Sequence, residues 1–265
     1  MKRKYIKSTA ASLLLFSMLS TSTLNVSAES KNGVELDDPA YSKKSEYYQK
    51  LEKERDLQIE KEEKKKIKTL SSSKTYTIPV KYIKQKYSNY CGVAAGISAL
   101  SFHKTKINSK EKLPTQEHFG NTIGTLPNKG GTSSTYLTSG LNKYKTALKF
   151  KDTPYIMGNV SQFSKPEDKI ASRITSTLNS NSTAPILLTR TYKLNKKYTK
   201  NYRHYVTVSG YKTKDKKVRL IDPNHHTEFT GGKAYWTDLG SKTKNGVTKS
   251  VYNADVEGNN AVMIW

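Results

Sequence analysis

A length of 265 residues suits one domain with extra segments or two small domains, and 46 Lys and Arg against 22 Asp and Glu give a formal net charge of +24. The single cysteine, Cys91, excludes an intramolecular disulfide framework and a cysteine-rich zinc module. Such a charge predicts an anionic partner, either nucleic acid, a membrane surface or a cell-wall polymer, without choosing among them.

The first 28 residues have the pattern of a secretory signal peptide. Four basic residues fall within positions 2–7, an apolar stretch covers 10–19, and the small residues 26–28 form a cleavage site before Glu29. The alternative, a short membrane anchor, is less favoured because the apolar stretch is shorter than the ~20 residues that span a bilayer. We therefore predict a secreted, extracellular protein with no transmembrane segment in its mature form.

Residues 29–73 form a second region, rich in glutamate and lysine. Positions 29–70 hold 11 acidic and 11 basic side chains, and their thin apolar stripe favours a solvated, partly helical spacer. The alternative is a propeptide that covers an active site until it is removed, with the serines at 71–73 as a flexible joint. The signal carries +4 and this region is neutral, so residues 71–265 carry +20 (31 basic minus 11 acidic). The predicted folded domain covers 74–265.

The first half of that domain predicts helices. Residues 76–83 alternate and predict an entering strand or extended arm, whereas the spacing after Cys91 changes to that of a buried helix. A second helix is expected after the sequence Gly-Gly-Thr at 130–132. A third helix is expected to start at 164–167, where the sequence Ser-Lys-Pro-Glu has the form of a capping box. The apolar faces of these three helices are assigned to Val93, Ile97 and Leu100, to Leu137, Leu141 and Tyr144, and to Ile170, Ile174 and Leu178.

The second half predicts strands. They cover 185–191, 204–209 and 218–222, and residues 261–265 form a candidate closing strand. The polar connection at 210–217 joins two of these strands into a hairpin. Helices followed by antiparallel strands indicate an α+β fold.

The cysteine lies at the predicted start of the first helix, between Tyr90 and Gly92. The positive end of a helix dipole favours the nucleophilic thiolate of a cysteine, and Gly92 would allow a substrate backbone to approach. The alternative is an inert buried cysteine. Because exported proteins usually avoid unpaired thiols, the lone Cys91 favours a catalytic role.

A nucleophilic cysteine needs a base, which is usually histidine. His204 opens one strand of the predicted hairpin, and Asp222 ends the other, so the turn would bring the carboxylate beside the imidazole. Taken alone, Asp222 before a proline is explained by turn chemistry. The other histidines are assigned no role. They are His103, too far along the helix, His118, expected in a loop, and the adjacent His225 and His226.

Two further features complete the candidate chemistry. Gln85 lies six positions before Cys91, where its amide and the Cys91 backbone N–H would form an oxyanion hole. His225, His226 and Glu228 lack the spacing of a zinc site, so no metal is predicted.

The ordered set of motifs resembles the papain-like cysteine peptidases of the double-glycine-leader (bacteriocin-processing) type, in a free-standing secreted form. The motifs that carry the resemblance are Gln85, Cys91-Gly92, the segment from His204 to Tyr211, and Ile221-Asp222-Pro223. The resemblance covers about 76–240. It implies a papain-like α+β fold in which Cys91 is the nucleophile, His204 the base, Asp222 its orienter and Gln85 the oxyanion donor. It also implies acyl transfer to peptide or protein substrates with no cofactor.

The sequence departs from that family at several points. Tyr90 stands where an acidic residue is frequent, Val93 stands where proline is common, and no transporter segment is fused to the domain. Two other functions remain open, a non-catalytic cationic module that binds a cell wall or surface, and a hydrolase of peptidoglycan stem peptides. Nucleic-acid binding is disfavoured because export precedes it and no nucleic-acid motif is present. We expect a monomer, held near an anionic cell-wall polymer by its charge.

Overall fold

A computed structural model describes residues 39–66, 73–194, 198, 200–224, 234–258 and 260–265. The predicted signal peptide, and the histidine pair with Glu228, lie outside these residues. Within them, no helix is long and apolar enough to cross a membrane.

The described chain is an α+β domain, as predicted. Its helices are α1 (Pro39–Lys66), α2 (Cys91–Lys106), α3 (Gln116–Thr122), α4 (Ser134–Asn142), α5 (Pro166–Ser180), α6 (Thr191–Leu194) and α7 (Val247–Val256). Its strands are β1 (Thr75–Thr77), β2 (Met157–Gly158), β3 (Ile186–Arg190), β4 (Arg203–Lys212), β5 (Lys217–Ile221), β6 (Ala234–Asp238) and β7 (Met263–Ile264). They form an antiparallel sheet in the order β2-β7-β3-β4-β5-β6, with β1 paired to the second half of β4.

Helix α2 lies at the centre of the domain. Every residue from Cys91 to His103 is buried, as expected for a helix that is apolar or small on all sides. Small residues let neighbours approach closely: a Cβ at Gly96 would lie 2.5 Å from the Phe119 ring. The helix packs on β4 and is held there by the Thr207 hydroxyl, which donates to the Ala95 carbonyl at 3.0 Å.

The predicted hairpin is present as β4 and β5. Its register shifts between Val208 and Gly210, which marks a β-bulge. At Gly210 a Cβ would lie 2.8 Å from the Tyr76 carbonyl oxygen, so glycine permits β1 to approach at that point. The hairpin brings the start of β4 and the end of β5 together.

Two local predictions were wrong. Helix α5 begins at Pro166 after Lys165, which makes no side-chain capping bond, so the expected capping box does not form. His118 lies in α3 rather than in a loop, because the Thr115 side chain caps that short helix. The prediction of an entering strand or extended arm at 76–83 agrees with the structure, where β1 ends at Thr77 and residues 78–83 belong to no helix or strand. The apolar face of α5 is buried as expected.

The predicted spacer contains the long helix α1, which packs on the domain. Its Tyr48 and Ile59 are buried, and its Glu52 and Asp56 bind the fully buried Arg173 of α5. The prediction of a solvated segment is therefore wrong for this face, because an arginine 117 residues away supplies the partner charge. Whether residues 29–73 are removed stays a prediction.

Helix α1 lies away from the end of the hairpin. It contacts α4, α5 and β2, and β2 is the edge strand of the sheet. Strand order places β4 and β5 three and four strands from β2. These contacts do not place α1 over the predicted catalytic residues.

Candidate active site

The structure brings His204 and Asp222 together at the end of the hairpin. Nε2 of His204 donates to Oδ1 of Asp222 at 2.7 Å, and both side chains are buried. A buried carboxylate is costly unless it is hydrogen-bonded, and this one accepts bonds on both oxygens. The hairpin produces this pairing because the two residues flank the same end of adjacent strands.

Cys91 hydrogen-bonds to the same imidazole. Because Nε2 is bound to Asp222, Nδ1 is the ring nitrogen left to face the thiol. Burial has the largest influence on the pKa of His204 and lowers it, but the charge and hydrogen bond of Asp222, with those of Cys91, together raise that pKa to about 10. The imidazolium is therefore the favoured form of His204 at neutral pH.

Asp222 has a second layer of support. The Tyr198 hydroxyl donates to its Oδ2 in a short hydrogen bond, and the Asn224 backbone N–H donates to its Oδ1 at 2.9 Å. Burial raises the pKa of Asp222, but His204, Tyr198 and Asn224 outweigh it and the pKa is lowered. The carboxylate thus stays ionised and holds the imidazole in one orientation.

The charge of Asp222 also affects the pKa values of two neighbouring tyrosines. Burial, followed by the Asp222 charge, raises the pKa of Tyr198 and of Tyr235 well above its ordinary value. Both hydroxyls therefore remain protonated. Sequence reasoning did not find Tyr198, because a chain with 18 tyrosines gives no signal that separates one from the others.

Gln85 is close to the site but its amide is engaged elsewhere. Its backbone N–H donates to the Pro223 carbonyl at 2.9 Å, which ties the loop before α2 to the end of β5. Its side-chain Nε2 donates to the carbonyls of Tyr87 and Ser88, at 3.0 and 2.9 Å. An oxyanion role requires the amide to release one of these carbonyls, so this role stays a prediction.

Gly92 serves a different purpose from the one expected. A Cβ at this position would lie 2.5 Å from Cβ and Oγ1 of Thr132, so glycine makes room for a threonine of the protein itself. The Tyr205 hydroxyl donates to the Thr132 carbonyl at 3.4 Å, which links this contact to β4. The Thr132 side chain thereby packs against Gly92, the residue that follows Cys91.

The remaining histidines in the described part of the chain do not join the site. His103 is stacked on Phe150 and hydrogen-bonded to the Tyr155 hydroxyl at 3.0 Å, and burial lowers its pKa to about 3. It is a neutral core histidine, in agreement with the prediction that it has no catalytic role. The described residues contain no group of three or more His, Cys, Asp or Glu able to hold a metal ion.

A cysteine at the first turn of a central helix, facing a histidine on an antiparallel sheet, is the arrangement of a papain-like cysteine peptidase. The family model of the Peptidase_C39 like family matches residues 77–255 of this chain. The chain belongs to that family. The match covers more than half of the sequence and includes Gln85, Cys91, His204 and Asp222, whereas α1 lies before it. A comparison with curated proteins found no match.

Proposed function

We propose that the protein hydrolyses peptide bonds with Cys91 as nucleophile, His204 as acid and base, and Asp222 as the residue that orients His204. The observation that carries this proposal is one buried imidazole that hydrogen-bonds to both the Asp222 carboxylate and the Cys91 thiol. Membership of a peptidase family supports the same reaction class. No metal or organic cofactor has a part in it.

The reaction is acyl transfer in two halves. Sγ of Cys91 attacks the peptide carbonyl carbon, and the backbone N–H of Cys91 stabilises the oxyanion. His204 then protonates the leaving amine as the C–N bond breaks, which leaves a thioester. In the second half His204 accepts a proton from water and the resulting hydroxide attacks the thioester carbon. The C–S bond then breaks, which releases the carboxylic acid and restores the Cys91 thiolate beside the His204 imidazolium.

Access to the thiol is a separate requirement. Cys91 has 0% of its surface exposed and His204 has 2%, so a peptide reaches Sγ only after covering side chains move. Tyr198 lies close by, with its ring centroid 6.2 Å from that of His204. Substrate binding is therefore expected to displace side chains at the site.

The test compares wild type with Cys91→Ala and His204→Ala on a peptide library, together with labelling by a small alkylating reagent. Cleavage by wild type alone, with labelling of Cys91, supports the proposal. Ser101→Ala is the matched control, because it also removes a small buried polar group from α2. The Ser101 hydroxyl binds the Ser98 carbonyl and lies outside the site. Equal cleavage by wild type and Cys91→Ala would sink the proposal.

The biological substrate is tested with folded proteins and, in parallel, with purified cell walls. Release of peptides from folded proteins supports a protein substrate, whereas release of stem-peptide fragments identifies a peptidoglycan hydrolase. Salt-sensitive binding to anionic wall polymer that is unchanged in Cys91→Ala, without any cleavage, would identify a cationic binding module. The bacteriocin-processing subtype is tested by adding a peptide with a double-glycine leader.

We also propose that the protein is secreted and acts near an anionic cell envelope. The support is the signal-like pattern of the first 28 residues and the charge of +20 on residues 71–265. Mass spectrometry of culture supernatant tests secretion and shows where the mature chain begins. A mature chain that starts at Glu29 supports signal cleavage, and a start after position 70 supports removal of a propeptide. Retention of residues 1–28 in cells contradicts secretion.

A further inference from the structure

Asn89 connects the segment before the nucleophile to a distant turn. It lies two residues before Cys91 and only 1% of its surface is exposed. Its Nδ2 donates to the backbone carbonyls of Leu126, Lys129 and Gly130, at 2.8, 3.0 and 2.9 Å. Its Oδ1 accepts the Asn128 backbone N–H at 3.0 Å. One side chain thus binds four backbone groups of the turn formed by residues 126–130, called the 126–130 turn.

The chemistry of these partners selects asparagine. Three carbonyls require donors and one N–H requires an acceptor. A primary amide supplies an acceptor oxygen and two N–H hydrogens, one of which is shared between two of the carbonyls. An aspartate would place a carboxylate against the three carbonyl oxygens. A leucine or alanine would leave all four backbone groups without this partner in a buried position, which is costly.

The turn needs this support because its own hydrogen bonding is sparse. Lys129 N–H donates to the Leu126 carbonyl at 3.2 Å, and the two residues form an isolated bridge. Asn128 and Gly130 have φ of 57° and 58°, in the left-handed region. The outer side of the turn is exposed at residues 128–130. The ordering of the turn therefore depends on residue 89.

The turn is followed closely by Thr132, which packs against Gly92 next to the proposed nucleophile. Two residues after Gly130 comes Thr132, whose side chain fills the space beside Gly92. Oγ1 of Thr125, on the other side of the turn, donates to Oγ1 of Thr132 at 3.1 Å. Asn89 and Thr132 thus fix the turn to residues on both sides of Cys91.

We propose that Asn89 is a positioning residue that sets the 126–130 turn relative to Cys91 and so determines where a bound peptide lies against Sγ. This inference rests on the proposed function, because it assigns the turn to peptide binding. Asn89 acts on the peptide through the turn and has no part in proton transfer. Its loss should therefore affect peptide cleavage while the reactivity of the thiol is preserved.

The test uses Asn89→Asp and Asn89→Ala, with Asn121→Asp as the matched control on the exposed surface of α3. Misplacement of a bound substrate by about 1 Å costs roughly 10²-fold, so kcat/KM for a peptide should fall by roughly that factor in Asn89→Asp, mostly through kcat, because the peptide still binds but lies farther from Sγ. Alkylation of Cys91 by iodoacetamide should change by less than about threefold, since thiolate reactivity depends on the imidazole rather than on the turn. Asn121→Asp should match wild type in both.

Hydrogen exchange gives a readout that does not depend on catalysis. The Asn128 amide should exchange slowly in wild type although it lies in an exposed turn, and quickly in either variant, while α2 and β4 keep their protection. Fast exchange of Asn128 in wild type overturns the proposal even when no variant folds. Retained cleavage in Asn89→Asp, or equal losses of cleavage and alkylation, overturns it as well. If wild type alkylates normally but cleaves no peptide, the proposed function fails, and the exchange of Asn128 alone decides whether Asn89 holds the turn.

Discussion

Two buried clusters in the described part of the chain pair a cation with carboxylate groups, and one of them adjoins Cys91, the proposed nucleophile. His204 and Asp222 lie 18 residues apart on one hairpin, beside Cys91. Arg173 binds two carboxylates of α1, Asp56 and Glu52, which lie 117 and 121 residues earlier in the chain. Both clusters are buried and well hydrogen-bonded. A buried ion pair therefore does not identify a catalytic site; a reactive group beside it does.

The two clusters also differ in what holds them. His204 lies in β4 and Asp222 directly follows β5, so the backbone pairing of these two strands brings both residues to the same end of the hairpin. Arg173 is held by two carboxylates of α1 and lies 4.1 Å from the Trp265 ring, so it fastens a helix that precedes the family match. The first cluster should govern activity and the second should govern stability. The following variants test that division, from the largest expected effect to the smallest.

The largest effect is expected from Asp222→Asn. Loss of the carboxylate should reduce kcat/KM by roughly 10²–10⁴-fold, because the imidazole loses its orienting partner. Asp222 and Cys91 raise the pKa of His204 to about 10, so the protonated imidazole persists until the pH approaches that value. Without Asp222, burial lowers the pKa, and the alkaline limb of the pH profile should move to lower pH.

A matched control is Asp255→Asn, since Asp255 is buried and accepts the backbone N–H groups of Val160 and Ser161 outside the site. Its alkaline limb should stay where it is in wild type. An unmoved limb in Asp222→Asn would show that Asp222 does not set the protonation of His204.

Next is Arg173→Met, which leaves Glu52 and Asp56 without their buried cation. Removal of one partner from a buried ion pair costs about 3–5 kcal/mol, so the free energy of unfolding in urea should fall by that amount. At a temperature where the variant is folded, kcat/KM should remain within about threefold of wild type. Lys169→Met is the control, because Lys169 is only partly buried and its contacts to Asp56 and Glu60, both at 3.4 Å, are longer than those of Arg173. Lost activity with unchanged stability would reverse the division between the clusters.

Within that second cluster, substitutions at Asp56 and Glu52 should differ in their effect on the free energy of unfolding. Asp56 accepts from Nε and Nη2 of Arg173 at 3.0 and 2.7 Å, so Asp56→Asn replaces one acceptor by a donor and should cost about 2 kcal/mol. Burial raises the pKa of Glu52 above its ordinary value of 4.5, so its ionisation above that pH costs the folded state free energy. Glu52→Gln keeps an acceptor without that cost and should destabilise by less than about 1 kcal/mol at pH 7.

The pH dependence checks this difference. As the pH falls from 7 towards 4.5, wild type regains the free energy that the ionisation of Glu52 had cost. The stability of Glu52→Gln relative to wild type should therefore become less favourable on acidification, as measured by urea unfolding at several pH values. A relative stability that does not vary with pH contradicts the assignment.

Among the variants at the proposed active site, the smallest effect on kcat/KM is expected from Tyr198→Phe. Asp222 keeps its bonds to His204 and to the Asn224 N–H, so loss of one hydroxyl should lower kcat/KM by no more than about tenfold, which corresponds to ~1.4 kcal/mol. Tyr192→Phe is the control, because that side chain is exposed. A loss as large as that of Asp222→Asn would make Tyr198 a full member of the catalytic group.

Sequence reasoning predicted the elements whose information is local. The period change after Cys91 predicts α2, and the polar connection at 210–217 predicts the hairpin of β4 and β5. The short elements α3, α6, β2 and β6 were missed, since a few residues carry little periodicity. Capping was also predicted poorly at α5, where Pro166 begins the helix without a side-chain cap.

The candidate site divides in the same way. Cys91, His204 and Asp222 are found from residue type, order and strand ends, because nucleophile, base and orienter have few chemical alternatives. Tyr198 and Asn89 were not found, since their partners are a distant carboxylate and distant backbone carbonyls. The position of Gln85 was expected, but not the two carbonyls that occupy its amide.

By itself, the sequence determined the α+β class, the helix that begins at Cys91 and the hairpin that pairs His204 with Asp222. These follow from periodicity and from strand connectivity over short separations. Only the tertiary structure decided that α1 packs on the domain, that Thr132 fills the space beside Gly92, and that Asn89 holds the 126–130 turn. Each of these depends on contacts between residues far apart in the chain, and residue periodicity carries no information about such contacts.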